Sequence, residues 1–241
     1  MTDRNADLPR RRGAASGDAR LRSTLEREFT TAVEEVMLGS KPVELLRPRN
    51  ADDLISEADF VRDERLPYWA DLWPSSRILA ERLLDEQIPS DVRPRLLELG
   101  CGLGLVTIAA LTAGFDVLAT DYYADALRFT ELNAREATSR APATRLVDWR
   151  HFPDDLGTFD RVVAADVLYE HAYAPLITDA IARTLRPTGV ALIADPGRIG
   201  ASAFRTGLAS HGLRLAALDE REFRDGPVRQ QIAVYSIVHA Q

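Results

Sequence analysis

The chain has 241 residues, 46 % of them apolar and 28 % charged, a balance that excludes a wholly disordered polymer and fits one large domain with appendages. A net charge of −7 argues against a nucleic-acid binder held by bulk charge. No apolar run is long enough to span a membrane, and the single cysteine, Cys101, excludes an intramolecular disulfide or a multi-cysteine zinc site. The expectation is a soluble, cytoplasmic protein, taken as a monomer, with neither nucleic acid nor membrane as partner.

In residues 1–24, Arg4, Arg10, Arg11, Arg12, Arg20 and Arg22 stand against Asp3, Asp7 and Asp18, a balance of +3 that leaves −10 for the rest. With almost no large apolar side chain, this segment reads as a flexible basic tail. It lacks the apolar stretch of a secretory signal, and its acids argue against a mitochondrial presequence. Only Lys41 is a lysine among the basic residues; the plain reading is the coding bias of a GC-rich, bacterial genome. Residues 25–74 form a second block. Leu21, Leu25, Phe29, Val33 and Val36 recur at helical spacing and predict a helix that ends at Gly39. Residues 41–48 read as extended, and 51–73 mix acids with Tyr68, Trp69 and Trp73.

The third block, 75–241, opens on a helix started by Pro74 and Ser75 and ending before Pro89. Strands over 95–100, 116–121, 144–149, 159–166 and 189–195 then alternate with helices over 104–113, 123–137, 173–186 and 200–211. Such alternation indicates a parallel sheet with helices on both faces, an α/β fold. Two last strands, near 213–222 and 229–239, are joined by Asp225-Gly226-Pro227 and add an antiparallel hairpin.

Glu98-Leu99-Gly100-Cys101-Gly102-Leu103-Gly104 follows a predicted strand and opens a predicted helix. Glycines allow the tight turn and let a ligand approach the backbone, and in open α/β sheets ligands lie at this end of the strands. The next strand ends in Asp121, placed to bind ribose hydroxyls. These facts admit a dinucleotide or S-adenosylmethionine. The G-x-G-x-G spacing departs from the dinucleotide pattern, and Glu98 would repel a pyrophosphate but suit the α-ammonium of a methionine moiety. Cys101 reads as packing, and the four histidines show no metal-ligand spacing.

From about residue 65 onward the chain resembles the class I, seven-stranded S-adenosylmethionine-dependent methyltransferases, Rossmann-like and doubly wound. Pro67-Tyr68-Trp69-Ala70-Asp71-Leu72-Trp73, Val147-Asp148-Trp149 and Ala165-Asp166-Val167-Leu168-Tyr169-Glu170 resemble segments of family 16, which includes many protein-lysine methyltransferases. The Pro-Tyr-Trp start and Tyr-Glu ending look most like the branch acting on the electron-transfer flavoprotein β-subunit. The resemblance implies that Trp73 packs near the methionine end of the cofactor. It implies a cradle of Glu98, Gly100, Gly102 and Gly104, ribose at Asp121, adenine at Asp148 and Trp149, and Ala165 along the cofactor. Asp166, Tyr169 and Glu170 would face the acceptor amine as the catalytic group. Asp195-Pro196-Gly197-Arg198 is a further candidate for the acceptor side.

Plainer readings stand beside these. Trp69 and Trp73 can be core aromatics, Asp166 a helix cap and Glu170 a solvated acid. The function expected is methyl transfer to an amine, most simply a lysine of a protein partner. The alternatives are a small-molecule N- or O-methyltransferase and a non-catalytic cofactor-binding module.

Overall fold

The structure, a computed structural model, describes residues 10–54 and 66–240, with side chains from Gly17 onward. Helix α1 (Arg10–Glu28) leads into an antiparallel hairpin, β1 (Thr31–Leu38) and β2 (Lys41–Pro48). Helix α2 (Pro74–Leu84) follows, then β3 (Arg95–Leu99), α3 (Leu105–Ala113), β4 (Asp116–Asp121), α4 (Ala124–Thr138) and β5 (Ala143–Leu146). The second half is β6 (Phe159–Ala165), α5 (Tyr173–Thr184), β7 (Leu185–Asp195), α6 (Ala201–Gly207), β8 (Leu213–Asp225) and β9 (Val228–His239).

The seven main strands lie in the order β5-β4-β3-β6-β7-β9-β8. Five are mutually parallel, and β9 runs antiparallel to both neighbours. Alternate residues serve opposite faces, as the strand period of two requires. Leu96, Val163 and Leu192 pack with Leu79 of α2 and Ile108 of α3, while Leu97, Val162 and Ile193 pack with Ile177 of α5 and Phe204 of α6. Burial on both faces is why the strands read as continuous apolar runs. The chain winds outward from β3 in one direction and from β6 in the other, so the switch point lies between their carboxyl ends.

The N-terminal expectations need correction. The helix ends at Glu28, and Val33 and Val36, which share a face at helical spacing, fall on opposite faces of a strand, one exposed and one buried. Thr30, Thr31 and Val33 stiffen the backbone toward the extended form, and Gly39, at φ +61°, stands in a two-residue hairpin turn rather than ending a helix. Within the stretch expected to be a flexible tail, the chain is helical from Arg10 onward. Asp18 pairs with Arg135 and Arg22 with Glu136 of α4, at 3.5 and 2.6 Å, and Leu25 is buried beside Phe129 and Trp69. Residues 1–9 lie outside the described residues, as do 55–65 of the acid-rich stretch.

Buried Asn133 ties this N-terminal unit to the sheet domain. Its amide donates to the carbonyls of Leu46 and Leu103 at 3.0 and 2.9 Å and accepts from the Leu46 N–H at 2.8 Å. Behind it, Phe29, Trp69, Tyr123 and Phe129 form an aromatic cluster with centroid separations of 5.3–6.5 Å. Trp69 is therefore core, and its packing fixes the segment that leads to Trp73.

Candidate active site

A cleft of about 1220 Å³, counting its open mouth, lies at the carboxyl ends of β3, β4 and β6. The glycine loop forms its floor. The Gly100 and Cys101 N–H groups both donate to the Thr120 carbonyl at 2.9 Å, which turns the chain sharply out of β3. Gly104, at φ +86°, has a structural reason to be glycine, because a Cβ there would come within 2.9 Å of the Thr130 Cα on α4. Gly102, at φ +53°, faces the Trp69 carbonyl, 3.2 Å from where a Cβ would stand. The loop is clamped from outside by α4 and the Trp69 turn, and its inner side opens to the cleft.

Two buried carboxyls stand at this floor. Glu98 accepts a hydrogen bond from the Thr107 hydroxyl, and burial pushes its pKa up to about 8, against that bond and with help from the charge of Asp121. Asp121 accepts from the N–H groups of Gly102 and Tyr123 at 3.0 Å each, and burial raises its pKa to about 6 despite these bonds. Asp121 thus holds the loop as well as facing the cleft. Asp148 closes the far end. Partial burial disfavours its charge, but hydrogen bonds from Arg150 and His151 outweigh this and hold its pKa at about 2. Next to it Trp149 packs edge-to-face on Tyr173 at 5.6 Å, and its buried indole N–H finds no acceptor among the described residues.

Aromatic rings make the opposite wall. Edge-to-face contacts link Trp73 with Tyr68 at 5.9 Å, Tyr68 with Tyr169 at 5.2 Å and Tyr169 with Tyr173 at 5.0 Å. The Trp73 indole donates to the Tyr68 carbonyl at 2.9 Å, which fixes the ring. Asp166 sits at the junction of floor and wall, in the left-handed region at φ +60°. Its Oδ1 accepts from Arg198 Nε at 2.6 Å and its Oδ2 from the Ser75 hydroxyl at 3.0 Å. Glu170 is exposed at the rim.

Residues 63–202 match the lysine methyltransferase family. The chain belongs to that family. The electron transfer flavoprotein beta subunit lysine methyltransferase of Xenopus laevis is 37 % identical over 139 residues, covering 55 % of this chain and 53 % of the relative. The Danio rerio protein of the same description is 33 % identical over 134 residues, covering 55 % and 51 %. The chain thus spans about half the length of these curated relatives. Among solved structures, the magnesium protoporphyrin IX methyltransferase of Synechocystis PCC 6803, which holds bound SAM, superposes with a TM-score of 0.55 at 18 % identity, covering 76 % of this chain and 93 % of that one. The ribosomal protein L11 methylase of Lactobacillus delbrueckii gives 0.51 at 20 % identity, covering 68 % and 77 %. Identities this low speak for the fold alone.

In this member of the lysine methyltransferase family, Trp73, Glu98, Gly100, Gly102, Gly104, Asp121, Asp148, Trp149, Ala165, Asp166, Tyr169 and Glu170 all line the one cleft. The sequence reading missed Tyr122 and Tyr173, which line it too, and Ser75, which holds Asp166. Tyr122 directly follows the Asp121 strand end and was within reach of that argument. Tyr173 opens α5 among apolar neighbours and carries no local sign of facing a cavity. Arg198, in the segment expected on the acceptor side, is bonded to Asp166, and its guanidinium lies 5.2 Å over the Trp73 ring.

Proposed function

We propose that the protein transfers a methyl group from S-adenosyl-L-methionine to a lysine side chain of a partner protein. The observation that carries this reading is the continuity of one cleft. It runs from the glycine loop, past Ala165 and Asp166, to a wall of Tyr68, Trp73, Tyr169 and Tyr173. The site suits the cofactor on its own chemistry. Glu98 and the loop backbone fit an amino-acid end, Asp121 fits vicinal hydroxyls, and the unsatisfied Trp149 N–H beside Asp148 fits a heteroaromatic edge. When bound, the cofactor supplies an electrophilic methyl on a sulfonium.

The protein's remaining task is to deliver a neutral amine in line with that methyl and to keep water out. Free lysine has a pKa near 10.4, so only about one amine in a thousand is neutral near pH 7.4. Glu170 at the rim attracts the incoming ammonium. The aromatic wall desolvates it, which favours the neutral form, and the proton leaves to water before transfer. Once the methyl is attached, the ring faces of Tyr68, Tyr169 and Trp73 stabilise the cationic product.

The test is incubation with methyl-labelled S-adenosylmethionine and purified electron-transfer flavoprotein β-subunit, the acceptor named for the vertebrate relatives, alongside a total protein extract. Methyl-lysine in acid hydrolysates of the β-subunit or of a discrete band supports the reading. Label confined to small molecules refutes it.

A further inference from the structure

The acidic residue of the Asp166-x-x-Tyr169 motif is not a free carboxylate. It is buried, and each oxygen is held by a side chain from a different element: Arg198 from the loop after β7, and Ser75 from the start of α2. Its own N–H donates to the Ala194 carbonyl at 2.9 Å, so its left-handed backbone is fixed from below. Arg198 is held as firmly. The N–H groups of Gly197 and Arg198 both donate to Asp195 Oδ1 at 2.8 Å, Gly197 takes φ +89°, and the guanidinium is caught between Asp166 and the face of Trp73. Arg198 lines a second, more open groove, which shares Asp71, Leu72 and Trp73 with the cleft, and it reaches the cleft only through Asp166.

This arrangement has an electrostatic consequence. A buried carboxylate beside the acceptor would stabilise its ammonium and raise its pKa by roughly one to three units, keeping the nucleophile protonated. The ionisable groups around that position are Asp166, Tyr169 and Glu170 from the β6 end, with His171 exposed beyond them. Tyr173 lines the cleft from α5 and Tyr68 and Asp71 line it from the Trp73 segment, while Asp195 and Arg198 of the β7 loop act on Asp166 itself. Asp195 is fully buried, its pKa is raised by that burial, and its Oδ1 is engaged by the Gly197 and Arg198 N–H groups. Arg198 is the cation placed directly against Asp166.

We propose that Arg198 is a positioning residue that cancels the charge of Asp166 and holds it against Trp73, so that the acceptor end of the cleft is shaped by a carboxylate without being anionic. This rests on the lysine-methylation reading above. The pair lets the cleft admit the amine without trapping it as ammonium, and it locks the Trp73 ring at the boundary of floor and wall.

The test is the pH profile of methyl transfer to the β-subunit acceptor used above, for wild type, Arg198→Met, Arg198→Lys and the double variant Asp166→Asn/Arg198→Met, with thermal melts and cofactor titration on each. Arg198→Met should move the rising limb of kcat up by about one pH unit and lower kcat about tenfold at pH 7.4, with KM unchanged or lower. Arg198→Lys keeps the charge and should keep the wild-type limb. The double variant removes both charges and should return the limb to its wild-type position even with kcat reduced. A limb unmoved in a folded, cofactor-binding Arg198→Met, or a double variant as displaced as the single one, overturns the proposal. A wild type that binds cofactor but methylates no lysine at any pH overturns the functional reading and this inference with it. An active wild type with an unmoved Arg198→Met limb overturns only this one.

Discussion

Replacing Glu98 with glutamine keeps the side chain's shape and its contact with Thr107 while removing an ionisation from the floor of the cleft. In the ligand-free protein burial lifts this carboxyl from the usual 4.5 to about 8. The folded chain therefore keeps a proton that the unfolded chain has lost anywhere between these values. Stability from this group is fully present below pH 4.5 and is lost as pH rises through 8, at up to about 1.4 kcal/mol per pH unit. Asp121, raised from 3.8 to about 6, acts in the same direction but only at lower pH. Between about pH 6.5 and about pH 7.5 wild type should thus lose about 1.2 kcal/mol more stability than Glu98→Gln, read from urea unfolding. The same carboxyl should lose its proton when it meets the α-ammonium of the cofactor. Calorimetric titration near neutral pH, in buffers of different ionisation enthalpy, should show release approaching about one proton per cofactor bound, absent in the variant. Parallel stability curves and buffer-independent binding heats would refute the assignment of Glu98.

Three further outcomes follow from packing and hydrogen bonding. Gly104→Ala should destabilise by about 1–3 kcal/mol, because the new Cβ meets Thr130 in a left-handed backbone; chemical unfolding reads this, and an unchanged midpoint would contradict it. Asp121→Asn should weaken cofactor binding about 10- to 100-fold by removing a charged acceptor, while the fold survives; calorimetry at fixed pH decides. Phe129→Ala should cost about 3–5 kcal/mol, because its ring is fully buried at the centre of the aromatic cluster. It should also loosen cofactor binding, since Trp69, which packs on Phe129, backs the Gly102 turn.

Most of the sheet domain is legible in the sequence because its signals are local. Apolar runs alternate with amphipathic helices, and the Glu98–Gly104 turn combines a motif with a strand before it and a helix after it. The N-terminal unit is not legible in this way. Leu21, Leu25 and Phe29 repeat at helical spacing, and Val33 prolongs the series by coincidence, so a helix and a strand read as one element. Nor does the arginine-rich start announce that Asp18 and Arg22 will meet Arg135 and Glu136, more than a hundred residues away. In the site, Glu98, Asp121, Asp148 and Asp166 sit at or just past the ends of strands and could be placed from the fold. The partners of Asp166 could not, because Ser75 and Arg198 reach it from separate elements and only the folded chain brings them within bonding distance.

The most direct measurement of the central claim is mass spectrometry of the acceptor protein after reaction with deuteromethyl S-adenosylmethionine, run with wild type and with Asp121→Asn. The account predicts deuteromethyl groups on lysine nitrogen with wild type, and much slower transfer with the variant that recovers as cofactor concentration rises. Deuteromethyl on any other residue type, or none on protein at saturating cofactor, would contradict it.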